Sequence, residues 1–155
     1  MAKVRPVPEG MHTVTPVLTI DGAAEAIDFY KKAFGAEELA RAPDPSGKKI
    51  WHAAIRIGDS TIFMSDPFPD MGGPPARPGA LWLYVDGVDA AFKRAVDAGC
   101  QAAMQPTDMF WGDRFSKVID RWGIEWELAQ HMRDLTPEEL KQAQDEAIAQ
   151  MKRGQ

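Results

Sequence analysis

The side chains in this sequence that could do chemistry fall into an acid–base set and a set of flat rings. Glu127 is a carboxylate spaced among aromatic residues, where loss of water raises a pKa toward the range useful to a general base. The alternative is an acid that simply pairs with Arg56 or Arg114. His52 carries the ring type that titrates near neutrality and can shuttle a proton, although a histidine at a strand entrance also serves as a plain surface or core residue. Trp82, Tyr84, Phe63 and Trp111 offer faces on which an aromatic or apolar ligand can stack, each pair adding roughly 0.5 to 1.5 kcal/mol beyond buried area. The same rings could instead close on one another or bury in a dimer interface. Arg114, next to Asp113, could grip a carboxylate through two parallel hydrogen bonds or form a salt bridge. Cys100 follows a helix-ending glycine and has no activating neighbour, so it reads as a buried, inert thiol. His12 and His131 flank strands and read as surface residues.

Two copies of one unit position these groups. The first opens Val17-Leu-Thr-Ile-Asp21-Gly22 and continues in apolar periodicity to Phe34-Gly35; the second opens Trp82-Leu-Tyr-Val-Asp86-Gly87 and continues to Ala98-Gly99. A repeat at this spacing determines the fold and is sought first. Ile27, Tyr30 and Phe34, and likewise Phe92, Ala95 and Val96, fall at the spacing of a helix burying one stripe. Gly35 and Gly99 stand where a left-handed cap would end each helix. Residues 51–57 and 61–65 then read as strands around Gly58-Asp59, a dipeptide suited to a two-residue hairpin. Residues 115–120 and 124–129 repeat the pattern around Arg121-Trp122-Gly123.

The predicted domain runs over 12–140, with a first module at about 12–66, a linker at 67–79 and a second module at about 80–131. The linker is rich in proline and glycine, too much so for a helix or a central strand. Thr136-Pro137-Glu138-Glu139 supplies a capping box and a first-turn proline. A helix over 134–153 is expected, with Leu140, Ala143, Ala147 and Met151 on a thin apolar stripe suited to docking on the domain or on a second subunit.

Period-2 alternation assigns faces to the strands. A two-residue turn at Gly58-Asp59 sets Ile57 opposite Ser60, Ile55 opposite Ile62 and Ala53 opposite Met64. These are the helix-facing residues, leaving His52, Ala54, Arg56, Thr61, Phe63 and Ser65 on the open face. Thr15 joins that face by the alternation of the first strand. In the second module Leu81, Leu83, Val85, Trp126 and Leu128 face the helix, while Ala80, Trp82, Tyr84 and Glu127 face away from it.

The chain of 155 residues carries a formal charge of −5 and shows no Lys/Arg run, so no nucleic-acid partner is expected. Its apolar runs are too short for a bilayer, and its amino terminus lacks the apolar core of a signal peptide. No membrane partner and a cytoplasmic location are therefore expected. A single cysteine excludes an intrachain disulfide and any cysteine-based zinc or iron–sulfur site.

The repeat resembles the vicinal oxygen chelate superfamily, which contains glyoxalase I, bleomycin-resistance proteins and extradiol dioxygenases. More specific are Phe110-Trp111-Gly112-Asp113-Arg114, Val118-Ile-Asp120-Arg-Trp-Gly123-Ile-Glu-Trp126-Glu-Leu-Ala-Gln-His131 and Asp134-Leu-Thr-Pro-Glu-Glu139. These are similar to the signature of a glyoxalase-like subfamily. The chain departs from that signature at Arg121-Trp122 and at Gln130. The resemblance implies an α+β fold of two tandem βαβββ modules forming a cup-shaped sheet, plus a carboxy-terminal helix, and a homodimer. It also implies that catalytic members hold a divalent metal in the cup, where two substrate oxygens chelate. The matching ligand positions here are Thr15, Phe63, Ala80 and Glu127, of which Glu127 alone is a strong donor for a divalent ion. The expectation is a small-molecule ligand on an aromatic cup with no cofactor, Glu127 and His52 as catalytic candidates, and Thr15, Arg56, Phe63, Trp82, Tyr84, Trp111 and Arg114 as ligand contacts. Two alternatives stay open: a metal-dependent lyase or dioxygenase with displaced ligands, and a drug-sequestering protein without turnover.

Overall fold

The computed structural model describes residues 3–155. The chain divides after Gly79 into two compact units, each a four-stranded sheet covered on one face by a helix.

The first unit runs β1 (Val17–Thr19), α1 (Ala23–Phe34), β2 (Glu37–Pro43), β3 (Ile50–Ile57) and β4 (Ser60–Ser65). Its sheet order is β1-β4-β3-β2, with β1 parallel to β4 and the other pairs antiparallel. Gly58 takes φ +59° at the first turn position, which a side chain would resist, and this closes the two-residue hairpin. The ladder follows as expected: Ile57 opposes Ser60, Ile55 opposes Ile62 and Ala53 opposes Met64. Ala53, Ile55, Ile62 and Met64 are buried, against an α1 face of Ala23, Ala26, Ile27, Tyr30 and Ala33.

Asp66, just past β4, fastens the helix to the sheet. Its Oδ1 accepts hydrogen bonds from Gly22 N at 2.8 Å and Ala23 N at 3.2 Å, and its Oδ2 accepts from Ile50 N at 2.7 Å. A carboxylate at a helix amino terminus also meets the positive end of the helix dipole. The linker stretch carries a short 3₁₀ turn at Pro69–Met71.

The second unit repeats the plan with β5 (Gly79–Tyr84), α2 (Val88–Ala98), β6 (Gln101–Asp108), β7 (Asp113–Ile119) and β8 (Ile124–His131), in the order β5-β8-β7-β6. Val88, Phe92 and Ala95 of α2 are buried, as are Ser116, Val118, Trp126 and Leu128 of the sheet. The turn that departs from the subfamily signature is held by Asp120. Its Oδ1 accepts from Trp122 N (2.9 Å) and Ile124 N (3.0 Å), and its Oδ2 accepts from the Trp126 indole (2.9 Å).

Then comes α3 (Pro137–Arg153), opened by the expected capping box: Thr136 Oγ1 accepts from Glu139 N, and Glu139 Oε2 accepts from Thr136 N. None of its residues is buried; Ala143 and Ala147 are half-buried, and Leu140 and Met151 are exposed.

The edge strands β2 and β6 lie outside the strands read from periodicity. Their sequences, Glu-Glu-Leu-Ala-Arg-Ala-Pro and Gln-Ala-Ala-Met-Gln-Pro-Thr-Asp, lack apolar alternation, and both ladders shift register along their length. Edge strands tolerate proline and bulges because one side of the ladder is unpaired.

Candidate functional site

Each sheet has one face turned from its helix. In the first unit that face carries Val17, Thr19, His52, Ala54, Arg56, Thr61, Phe63 and Ser65, aligned by cross-strand partners Val17 with Phe63, Ala54 with Phe63, and Arg56 with Thr61. His52 meets Phe63 edge-on at 4.8 Å. Arg56 donates to Glu37 Oε2 at 2.6 Å. Thr15 is half-buried two residues ahead of β1. An open depression of about 650 Å³ lies along Met11, His12, Leu39, Arg56 and Thr61.

The second unit's open face is richer in rings. Trp82 stacks on Phe115 with centroids 4.8 Å apart and planes 25° from parallel. Trp82 also lies 5.9 Å from Tyr84 and 6.3 Å from Trp111, and Trp111 lies 5.7 Å from Phe115. Phe115 is buried, Trp82 is 41% exposed and Tyr84 67% exposed. The cluster therefore presents ring faces to solvent from a packed base, as alternation along β5 requires.

Beneath it, Asp113 is only 3% exposed and serves three partners. Its Oδ2 accepts from the Trp111 indole at 3.0 Å and the Tyr84 hydroxyl at 3.3 Å, and its Oδ1 lies 2.8 Å from His131 Nδ1. The other nitrogen of His131 lies 2.8 Å from Asp134 Oδ1. These two carboxylates, Asp134 first and Asp113 second, raise the His131 pKa above its ordinary value. Removal from water and the Asp113 charge push the Tyr84 phenol up as well. Gly112 makes room for this loop: it sits at φ +100°, and a Cβ there would lie 2.6 Å from the Arg133 carbonyl oxygen. Both Met132 N and Arg133 N donate to Gly112 O.

Glu127 lies two rungs along the same face. Its Oε1 is 3.5 Å from Lys117 Nζ, a lysine that also lies 3.7 Å from Glu125. Arg114 is engaged by Asp89 and Asp108, and the ammonium beside Glu127 comes from its cross-strand partner.

Arg114, expected from sequence in a loop, instead lies in β7, which begins at Asp113, and parity turns it to the helix side opposite Gln130. There its guanidinium donates to both oxygens of Asp89 (2.8 and 3.0 Å) and to Asp108 (3.0 Å). It is on the face opposite Trp82. His131 is exposed, as expected from sequence, and is also joined through Asp113 to the base of the ring cluster, a role not expected of it. Cys100 is buried, and burial pushes its thiol up to about 12.

Among the four positions that match the superfamily's metal ligands, Phe63 and Ala80 bear no donor atom, and Glu127 is engaged by Lys117. Among the described residues no three His, Cys, Asp or Glu side chains cluster as a metal site. The donor set does not fit the divalent ion of the fold's catalytic members.

Residues 11–128 match the model of the glyoxalase/bleomycin resistance protein/dioxygenase superfamily, and the chain belongs to that family. It is 43% identical over 138 residues to an uncharacterized protein of Mycobacterium bovis, covering 84% of this chain and 90% of that one. Among solved structures it is similar to TioX from Micromonospora sp. ML1, with 25% identity, a TM-score of 0.62, and coverage of 77% of this chain and 99% of that one. TnmS3, an antibiotic binding protein from Streptomyces sp. CB03234, is similar at 28% identity and a TM-score of 0.59, covering 78% of this chain and 96% of that one. Among the described residues no helix is long and apolar enough to cross a membrane.

Proposed function

We propose that this protein binds a small planar organic molecule on the ring face of its second unit and does so without a divalent metal. The observation that carries the reading is the Trp82–Phe115 stack, with Trp82 and Tyr84 left exposed above a buried base. Exposed rings held in place by packing lose little entropy when a flat ligand joins the stack, and each added ring pair contributes roughly 0.5 to 1.5 kcal/mol beyond area burial. The first unit carries a more polar face of its own, with His52, Phe63, Arg56 and Thr15 as its ligand-contact candidates. Any turnover is proton transfer or lyase chemistry. The protein works in the cytoplasm as a homodimer.

A second reading, capture of an antibiotic-like compound without turnover, is supported by the similarity to TnmS3, whose own description is antibiotic binding. The two share the ring face and differ in product formation.

The test is tryptophan fluorescence and thermal shift with a panel of planar probes, including 2-naphthol and proflavine, beside metal analysis of protein purified without chelators. Saturable quenching with a rise in Tm and no stoichiometric metal is expected. Stoichiometric zinc, nickel, iron or manganese with glyoxalase turnover would overturn the reading.

A further inference from the structure

Resting on the ring-face reading above, we infer that His131 is a general base for planar ligands stacked there, with Asp113 fixing its orientation and Asp134 covering its outward nitrogen in the resting protein.

Each imidazole nitrogen of His131 faces a carboxylate at 2.8 Å. A neutral imidazole has one N–H and satisfies one of them; the imidazolium satisfies both. The two carboxylates are unlike. Asp113 is buried, anchored on β7, and held by the Trp111 indole and the Tyr84 hydroxyl. Asp134 is fully exposed and sits on the segment between β8 and α3. When the ring loses its proton, the buried carboxylate keeps the Nδ1–H, because leaving it short of a donor costs more than returning Asp134 to water. The lone pair is then on Nε2, facing outward, and it repels the Asp134 carboxylate. One proton thus decides both the base and its cover.

The groups facing His131 from the elements around it agree with this. Asp113 comes from β7, Asp134 from the segment after β8, and Tyr84 reaches from β5 through the shared carboxylate; Lys117 and Glu127 lie further along the face and pair with each other. Asp113, which orients this base, also holds the Trp111 indole and the Tyr84 hydroxyl of the ring cluster, and a base so placed suits planar aromatic or heteroaromatic compounds with an acidic C–H or O–H. Of the two bases expected from sequence, Glu127 is occupied by Lys117, and His52 belongs to the other unit.

A probe of this chemistry is 5-nitrobenzisoxazole, a flat ring system whose C–H proton passes to His131 Nε2. The C–H electron pair becomes part of the new nitrile, the N–O bond breaks, and the oxygen leaves as a coloured phenolate. Saturable turnover by the full chain is expected, inhibited by 2-naphthol, rising with pH through the titration of His131. His131→Gln should lose roughly 100-fold in kcat/KM, the scale of a positioned general base. Asp134→Ala, an exposed substitution that leaves the core untouched, should move the midpoint of the pH–rate profile to lower pH, since Asp134 is the larger cause of the raised His131 pKa. A purely structural histidine would move neither the profile nor its midpoint. Quenching by 2-naphthol with equal nitrobenzisoxazole turnover in the wild type and His131→Gln would overturn the assignment of the base while leaving the ring face in place. Binding of neither aromatic probe would overturn both.

Discussion

Asp66 and Gln130 do the same work in the two repeats: each reaches from just beyond a strand carbonyl to the open amino terminus of its unit's helix. The preceding carbonyls are equivalent too, Ser65 O accepting from Ile20 N and Ala129 O from Val85 N. Asp66 satisfies Gly22, Ala23 and Ile50, whereas Gln130 reaches Val88 N alone, at 3.1 Å. The duplicated units have therefore kept the position of the cap and changed its strength.

The two caps should differ in cost. Asp66→Ala leaves buried backbone donors without partners and should destabilise by about 3 kcal/mol, while Gln130→Ala should cost about 1 kcal/mol. Urea unfolding of both variants checks this; equal costs would mean that the extra bonds of Asp66 contribute nothing.

Gly112→Ala should destabilise by roughly 2 to 3 kcal/mol, since it forces a side chain into left-handed backbone and against the Arg133 carbonyl. The loss should appear in Tm and in disturbance of the His131 ring signals by NMR. A wild-type Tm would mean that residues 132–135 can move aside freely.

Much of this was legible from the chain, and its limits are physical. The Gly58-Asp59 turn fixed the register of β3 on β4, and alternation in β5 put Trp82 and Tyr84 on one face, because a strand buried on one side leaves period 2 in its sequence. β2 and β6, at the sheet edges, left no such trace. The Asp113–His131 pair went unread because it spans a hairpin whose length must be known first. Counting down the ladder from Ile119 opposite Glu125 reaches Asp113 opposite His131, and the same count puts Arg114 opposite Gln130 on the helix side. Once β7 is known to begin at Asp113, both placements follow.

His131 also makes a pH-dependent contribution to stability. Its folded pKa is raised above the ordinary 6.5, so the stabilisation is complete below about that pH and is lost as pH rises through the higher folded value. The Tm difference between wild type and His131→Gln should therefore be largest below about pH 6.5 and shrink as the pH rises above it. A difference that grows with pH would reverse the sign of the linkage.

Cys100 should resist a disulfide reagent such as Ellman's at about pH 8 in the native protein and react readily in urea, because burial holds the thiol protonated. Fast native labelling would contradict its placement between α2 and β6.

The most direct test of the ring face is the affinity of 2-naphthol for wild type and Trp82→Ala, measured by calorimetry. Trp82 is partly exposed, so its removal should leave the fold intact while weakening binding about tenfold, equivalent to ~1.4 kcal/mol. Unchanged affinity in a folded Trp82→Ala variant would contradict the claim that flat ligands stack there.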